Sequence, residues 1–396
     1  MRSSNETREG PPLTSLYVHI PFCERKCFYC DFYSVENTGL AEVFLTALTR
    51  EIALRQAVAD RATFETVFFG GGTPSLLTPR QLELILSRIR AAFQVTADVE
   101  VTLETNPGTV TEDKLRTFRT LGVNRLSIGI QSFHDPDLKF LGRIHTREEA
   151  LRCLDLAGAA GFNNVGIDLI YSIPGQTLLD WENNLRIAAD LAPQHIAAYS
   201  LIVEDNTPLA RMVETGEVRA NPSDLEARMY ERTMEVLSGH GYEHYEVSNY
   251  ALAGFRCRHN CAYWSHENYL GLGPSAHSFW QDEKAETGTR WWNVAELAAY
   301  VDCLNSGALP VASEESVGVR EMINERIFLG LRSGGLDLVR LRMELGYDLA
   351  AREDGMLGWL VEEKLVQFEG PTLKLTPQGY VLCDEICRRL LQHVGP

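Results

Sequence analysis

The sequence predicts an α/β fold, a partial (β/α)6 barrel followed by a smaller, mostly helical, winged-helix-like domain. Three observations carry this. Short apolar runs alternate with longer amphipathic segments about six times in the first 205 residues. Each run ends at a polar or glycine-rich element. Beyond about residue 318 the pattern changes to helices followed by two short strands.

The strand-like runs are SLYVHI (15–20), TVFFGG (66–71), VEVTLE (99–104), RLSIGI (125–130), VGIDLI (165–170) and IAAYSL (196–201). Helices are expected near 40–58, 79–92, 111–121, 147–160, 178–191 and 223–239. Strand followed by helix argues for parallel strands with helical crossovers, and periodicity alone does not choose between a barrel and an open sheet. The polar residues favour the barrel. The cysteine loop, Gly70 to Pro74, Glu104, Gln131, Asp168 and Ser200 all fall at or near strand C-terminal ends, the rim where (β/α) barrels assemble sites. The resulting division is a flexible N-terminus (1–14), the barrel (15–240), a connecting region rich in aromatics and histidine (241–317), and the winged-helix-like domain (318–396).

With 37 basic and 54 acidic side chains the formal charge is −17, which disfavours general attraction to nucleic acid or to an anionic membrane. The last domain carries 10 Lys and Arg against 12 Asp and Glu from residue 318 onward, so it lacks the basic footprint of a DNA reader. No stretch reaches the roughly 18 apolar residues of a spanning helix, and residues 1–12 lack an apolar signal core. A cytoplasmic protein without a membrane anchor of its own is expected.

The nine cysteines are an odd number, and three stand within eight residues, which points to metal or cluster binding rather than a disulfide framework. Cys153, Cys303, Cys383 and Cys387 lie in apolar helical patterns and read as small core residues. In HIPFCERKCFYCDFYS, Cys23, Cys27 and Cys30 can fold their thiolates onto three corners of a cubane cluster, leaving the fourth iron for an exchangeable ligand. A zinc site would need Asp31 or His19 as its fourth ligand.

This CxxxCxxC after a first strand resembles the signature of the radical S-adenosylmethionine (SAM) superfamily. The resemblance implies a [4Fe-4S] cluster on Cys23, Cys27 and Cys30, with SAM chelating the open iron and Tyr29 packing against adenine. GGGTP resembles the segment that takes the SAM amino group, through Gly71, Gly72 and Thr73. YVHIPFC, GGGTPSLL, SIGIQSFHD, LGRIHT and GIDLIYSIPGQT are similar to oxygen-independent coproporphyrinogen III oxidases and their relatives. There Tyr17, Glu104, Gln131, Arg143 and Asp168 match SAM-binding positions, and a main-chain contact is expected near Leu201.

Two features distinguish the branches. The oxidases carry a further cysteine where this chain has Phe32, and the HemW haem chaperones carry CxxxCxxCxF with HNxxYW, matched here by HNCAYW, His259 to Trp264. The HemW resemblance implies that haem is bound and passed to haem-acceptor proteins, with His259, Asn260, Tyr263 and Trp264 implicated and His259 the first choice of axial ligand. Cys257, Cys261, His266 and His277 are further candidate ligands nearby. An electron donor is implied for the cluster, and a homodimer is compatible with the resemblance. Catalytic residues are not assigned, and a coproporphyrinogen dehydrogenase remains the alternative reading.

Overall fold

The computed structural model describes residues 13–59, 62–281, 287–351 and 355–392. Its centre is a run of six parallel strands in chain order: β1 (Leu13–Ile20), β2 (Thr63–Gly71), β3 (Gln94–Thr105), β4 (Arg125–Gln131), β5 (Val165–Tyr171) and β6 (His195–Ser200). Leu13 and Thr14, expected to be flexible, begin β1. The remainder of that N-terminal expectation, residues 1–12, lies outside the described residues.

Helices cross between successive strands, and threonine starts several of them. Thr78, Thr146 and Thr177 close reciprocal capping boxes with Gln81, Glu149 and Asp180. Each pair satisfies amide groups that the first helical turn would otherwise leave unpaired. The apolar faces of these helices meet strands that are buried along most of their length, as in β4 and β5. The sheet curves strongly. His195 on β6 meets Tyr245 OH at 2.8 Å, the Cys257 amide donates to the same hydroxyl at 3.4 Å, and the Cys257 thiol lies 3.6 Å from Glu100 on β3. The inward side chains therefore line a lumen.

The segment 241–317, treated as a connection from sequence, builds both flanks of the same sheet. β8 (Asn249–Ala251) pairs antiparallel with β6 and carries β7 (Glu243–Glu246). On the other side β9 (Tyr269–Leu272) lies parallel to β1, followed by β10 (His277–Trp280), β11 (Gly288–Asn293) and β12 (Val311–Val317). Among the described residues this makes one sheet of twelve strands.

The C-terminal domain has its own core around Ile327, Leu331, Leu341, Leu360, Leu373 and Ile386. Its order is helix Val319–Leu331, β13 (Leu336–Asp337), helices Leu338–Leu345 and Met356–Glu362, then β14 (Val366–Glu369) and β15 (Thr372–Leu375), the winged-helix order. It is tied to the barrel by His266 Nε2 against Glu325 at 2.6 Å, and by Val247 N–H donating to the Arg332 carbonyl at 2.8 Å. No helix among the described residues is long and apolar enough to cross a membrane.

Candidate functional site

The cysteine loop leaves β1 at the C-terminal mouth of the barrel, and its neck is closed by two main-chain bonds, Cys23 N–H to Val35 O at 3.0 Å and Val35 N–H to Pro21 O at 2.7 Å. Cys23, Cys27 and Cys30 are free thiols, half-buried, and burial raises the Cys30 pKa. Thr73 Oγ1 donates to Cys23 Sγ at 3.6 Å, and Arg143 Nη1 donates to Cys27 Sγ at 3.7 Å. Among the described residues no three His, Cys, Asp or Glu side chains close around a single ion. A cubane does not require that, because each thiolate takes its own iron. His19, a candidate zinc ligand from sequence, is committed elsewhere: its Nε2 pairs with the Tyr33 carbonyl at 2.8 Å, Nδ1 lies 3.3 Å from Tyr17 OH, and burial holds its pKa at about 4. The donor set of three thiols fits a cluster with one open iron.

The glycines of GGGTP let two loops lie side by side. Gly72 N–H donates to Ile20 O at 2.8 Å and Thr73 N–H to Phe22 O at 2.7 Å. A Cβ on Gly72 would stand 2.6 Å from the Phe22 carbonyl oxygen, and one on Gly71, at φ +106°, 2.5 Å from the His19 ring. Their lack of a Cβ is required by the protein's own packing at the cysteine loop.

Arg143 is a fixture of this mouth rather than a solvated charge. Its Nη2 donates to Asn106 Oδ1 at 2.7 Å and to the Gly129 carbonyl at 3.0 Å. Asn106 in turn donates to Thr73 Oγ1 at 3.1 Å. One chain of hydrogen bonds thus runs from Cys27 through Arg143, Asn106 and Thr73 to Cys23. Asn106 was missed from sequence, although it stands in the same LETNP stretch as Glu104. A single asparagine before Pro-Gly reads as turn chemistry.

Deeper in the lumen lie two carboxylates. The Glu104 pKa is pushed up to about 8, first by burial and then by Asp168, while the Gly71 N–H and Arg125 pull it down. Asp168 is also raised by burial, and it accepts from Ser127 Oγ at 3.0 Å. Gln131 ends β4 with φ +67°, a left-handed conformation uncommon for glutamine. Tyr29 packs, as Phe140 and Leu201 do, against the cluster of Leu141, Ile170 and Ile173, and the Leu201 amide, expected near a ligand, donates to Tyr171 O at 2.9 Å. Tyr17 faces the lumen between Phe68 and His259, with Glu104 near enough to add to its raised pKa after burial.

HNCAYW forms the helix Arg258–Trp264, which closes the opposite, N-terminal end of the lumen. Glu100 on β3 holds its start, accepting from Arg258 N–H and His259 N–H, each at 3.2 Å. His259 is buried, stacks on Phe68 at 4.9 Å, and engages both ring nitrogens: Nδ1 with Thr66 Oγ1 at 2.8 Å and Nε2 with Tyr263 OH at 3.1 Å. Burial, then Arg125, lowers its pKa to about 3. In this arrangement the imidazole has no free nitrogen for iron. Cys257 is also enclosed, its thiol 3.6 Å from Glu100. Cys261 and Trp264 lie on the other side of the helix and line a cleft toward the C-terminal domain, while Asn260 is half-buried on the same helix. The site residues therefore divide between mouth and floor. Sequence reasoning missed the buried Glu100 and Arg125 that stiffen the floor. The signal was there in part, since both are charged residues inside apolar strands.

Residues 17–188 match the radical SAM superfamily, and residues 319–382 match the HemN C-terminal domain. The chain is 35% identical to a Bacillus subtilis protein named heme chaperone HemW, covering 94% of this chain and 98% of that one. It is 37% identical to a Mycobacterium tuberculosis protein of the same name, over 96% of this chain and 95% of that one. A solved structure of Escherichia coli coproporphyrinogen III oxidase (HemN) superposes with a TM-score of 0.81 at 24% identity, covering 96% of this chain and 90% of that one, a likeness of fold.

Proposed function

The chain belongs to the HemW family of radical SAM proteins, and from that premise we propose that it is a haem chaperone that binds haem and passes it to acceptor proteins in the cytoplasm, with a [4Fe-4S] cluster and SAM at the barrel mouth. The observation that carries this reading is the joint presence, in one chain, of the thiol–Arg143–Asn106–Thr73 frame and the HNCAYW helix at the other end of the same lumen.

Cys23, Cys27 and Cys30 would hold the cluster. Glu104, Gln131, Asp168, Tyr17, Tyr29 and the GGGTP turn would surround SAM, with Arg143 as the donor fork for its carboxylate. When bound, the cluster supplies an electron and SAM a cleavable sulfonium. The protein's part is to keep the thiols grouped, to offer lone pairs to ribose hydroxyls and the ammonium, and to shield this chemistry from water. The raised pKa of Glu104 suits a hydrogen-bonding role, because the carboxyl can donate as well as accept near neutral pH.

The test is an anaerobic haem titration of the cluster-reconstituted protein, followed by transfer of the bound haem to a purified apo-acceptor. A saturable one-to-one Soret shift and its loss to the acceptor are expected. Multiple turnovers of coproporphyrinogen III to protoporphyrinogen IX under reducing conditions would replace this reading with the oxidase one.

A further inference from the structure

The hydrogen-bond frame at the barrel mouth has a direction, and it ends on sulfur. Arginine only donates, so the contact of Arg143 Nη2 with Asn106 at 2.7 Å fixes the Asn106 atom there as the carbonyl oxygen. The other end of that amide is then the NH2 group, which donates to Thr73 Oγ1 at 3.1 Å. With a lone pair of its oxygen taken, the Thr73 hydroxyl has one hydrogen left to place, and its acceptor is Cys23 Sγ at 3.6 Å. Arg143 Nη1 directs a second hydrogen at Cys27 Sγ at 3.7 Å. Thr73 is buried, and its own N–H is tied to Phe22 O at 2.7 Å, so little water competes for the hydroxyl.

Resting on the reading that Cys23, Cys27 and Cys30 hold a [4Fe-4S] cluster, we propose that the Thr73 hydroxyl serves that cluster rather than the amino group of SAM. Oriented by Asn106 and Arg143, it donates to the Cys23 thiolate and raises the reduction potential of the cluster.

The physical reason is the charge difference between the two redox states. Reduction adds one electron, breaks no bond and moves no proton, so the hydroxyl hydrogen stays on Thr73. The added negative charge is shared with the thiolate sulfurs, and a hydrogen bond to a more negative acceptor is stronger. A donor fixed on sulfur therefore favours the reduced state, and hydrogen bonds to sulfur are among the levers that set cluster potentials. Burial enlarges the effect, because the surrounding dielectric is low. A cluster raised in potential accepts its electron from a weaker one-electron reductant. The glycines of GGGTP bring this turn against the cysteine loop, and Thr73 supplies the donor at the point of contact.

The experiment is an anaerobic redox titration of the reconstituted full chain without SAM, read by EPR of the reduced cluster, with iron content as the check on assembly. Thr73→Val and Thr73→Ala should each lower the midpoint by about tenfold in the reduction equilibrium, or about 59 mV for one electron. Thr73→Ser keeps the hydroxyl and should stay within about twofold of wild type on the same scale. Asn106→Asp is an independent arm. A carboxylate only accepts, so it turns the Thr73 hydroxyl away from sulfur. Its own charge also lowers the midpoint, so its shift is measured again in the Thr73→Val background, where no hydroxyl remains, and should be smaller there.

Midpoints of Thr73→Val and Thr73→Ala within about twofold of wild type would overturn the proposal. So would a fall in Thr73→Ser as large as theirs, or an Asn106→Asp shift of equal size in both backgrounds. Thr73 variants that lose iron instead would assign the residue to holding the loop and overturn the tuning role. A wild-type chain that takes up no cluster removes the cluster reading itself.

Discussion

Replacing His259 with alanine separates a structural role for HNCAYW from a ligand role. The ring pairs with Thr66 Oγ1 and Tyr263 OH and stacks on Phe68, all in the buried floor of the lumen. Its removal leaves two hydroxyls without partners, at about 1–2 kcal/mol each. The empty ring volume adds about 1–2 kcal/mol of lost packing. The sum is about 3–6 kcal/mol. At about 2 °C per kcal/mol for a protein of this size, the melting temperature of the cluster-free chain should fall by about 6–12 °C. The assay is thermal unfolding by circular dichroism at pH 7.5, with Thr66→Val and the double variant alongside. Because the two residues share a hydrogen bond, their effects should not add. Thr66→Val alone should cost less, since it removes one bond and no ring. A His259→Ala protein melting within about 1 °C of wild type would refute this account, because the two buried hydrogen bonds would then not be holding the floor.

Other predictions follow from the mouth and from the domain junction. Asn106→Ala removes the acceptor that holds Arg143 at 2.7 Å, so SAM affinity by calorimetry should fall about tenfold, or about 1.4 kcal/mol, while reconstituted iron content stays the same. Lost iron with unchanged SAM affinity would contradict it. Cys27→Ser should abolish the broad visible absorption of the reconstituted cluster, and a variant that keeps that absorption would remove Cys27 from the ligand set. His244 stacks on Tyr250 at 4.5 Å and lies tilted against Tyr380 at 4.4 Å, with Tyr230 edge-on, and burial lowers its pKa from 6.5 to about 4. The folded protein keeps it neutral while the unfolded chain takes up a proton. The stability it contributes is therefore present above pH 6.5 and lost as pH falls toward 4, about 3 kcal/mol at most. Between those values His244→Phe, which retains a stacking ring, should show a stability slope shallower than wild type by about 1.4 kcal/mol per pH unit. Equal slopes would mean that the group does not titrate on unfolding.

How much was legible depended on whether the signal was local. The six strands and their crossover helices follow from apolar periodicity and from threonines at helix starts, both readable within some fifteen residues. The pairing of β9 with β1 was not readable: Tyr269–Leu272 is four residues long, and its partner lies some 250 positions earlier. The same limit applied to the site. Cys23, Cys27 and Cys30 announce themselves by spacing, but the setting of Arg143 depends on Asn106 and on the Gly129 carbonyl, contributed by two other loops and strands. The buried setting of His259 was not readable either, because Thr66, which meets one of its ring nitrogens, stands nearly two hundred residues away.

The floor also explains why one short helix can serve two surfaces. In the helix Arg258–Trp264, positions 259 and 263 are one turn apart and share a side, while 261 and 264 share another. The first side is fixed to the lumen through Thr66 and Phe68, and the second borders the cleft. Behind the helix, Arg125 is buried; burial alone would lower its pKa, but its neighbours, the Glu100 and Asp168 carboxylates among them, hold it up. Asp168 in turn raises Glu104, whose carboxyl accepts from the Gly71 amide. A continuous set of buried charged and hydrogen-bonded groups therefore runs from the glycine turn at the mouth to the helix at the floor. Removing one member would strand its neighbour in a low-dielectric interior, at a cost of several kcal/mol. Such a set resists piecemeal change, which is why HNCAYW and GGGTP, separated by some 190 residues, belong to one structural unit.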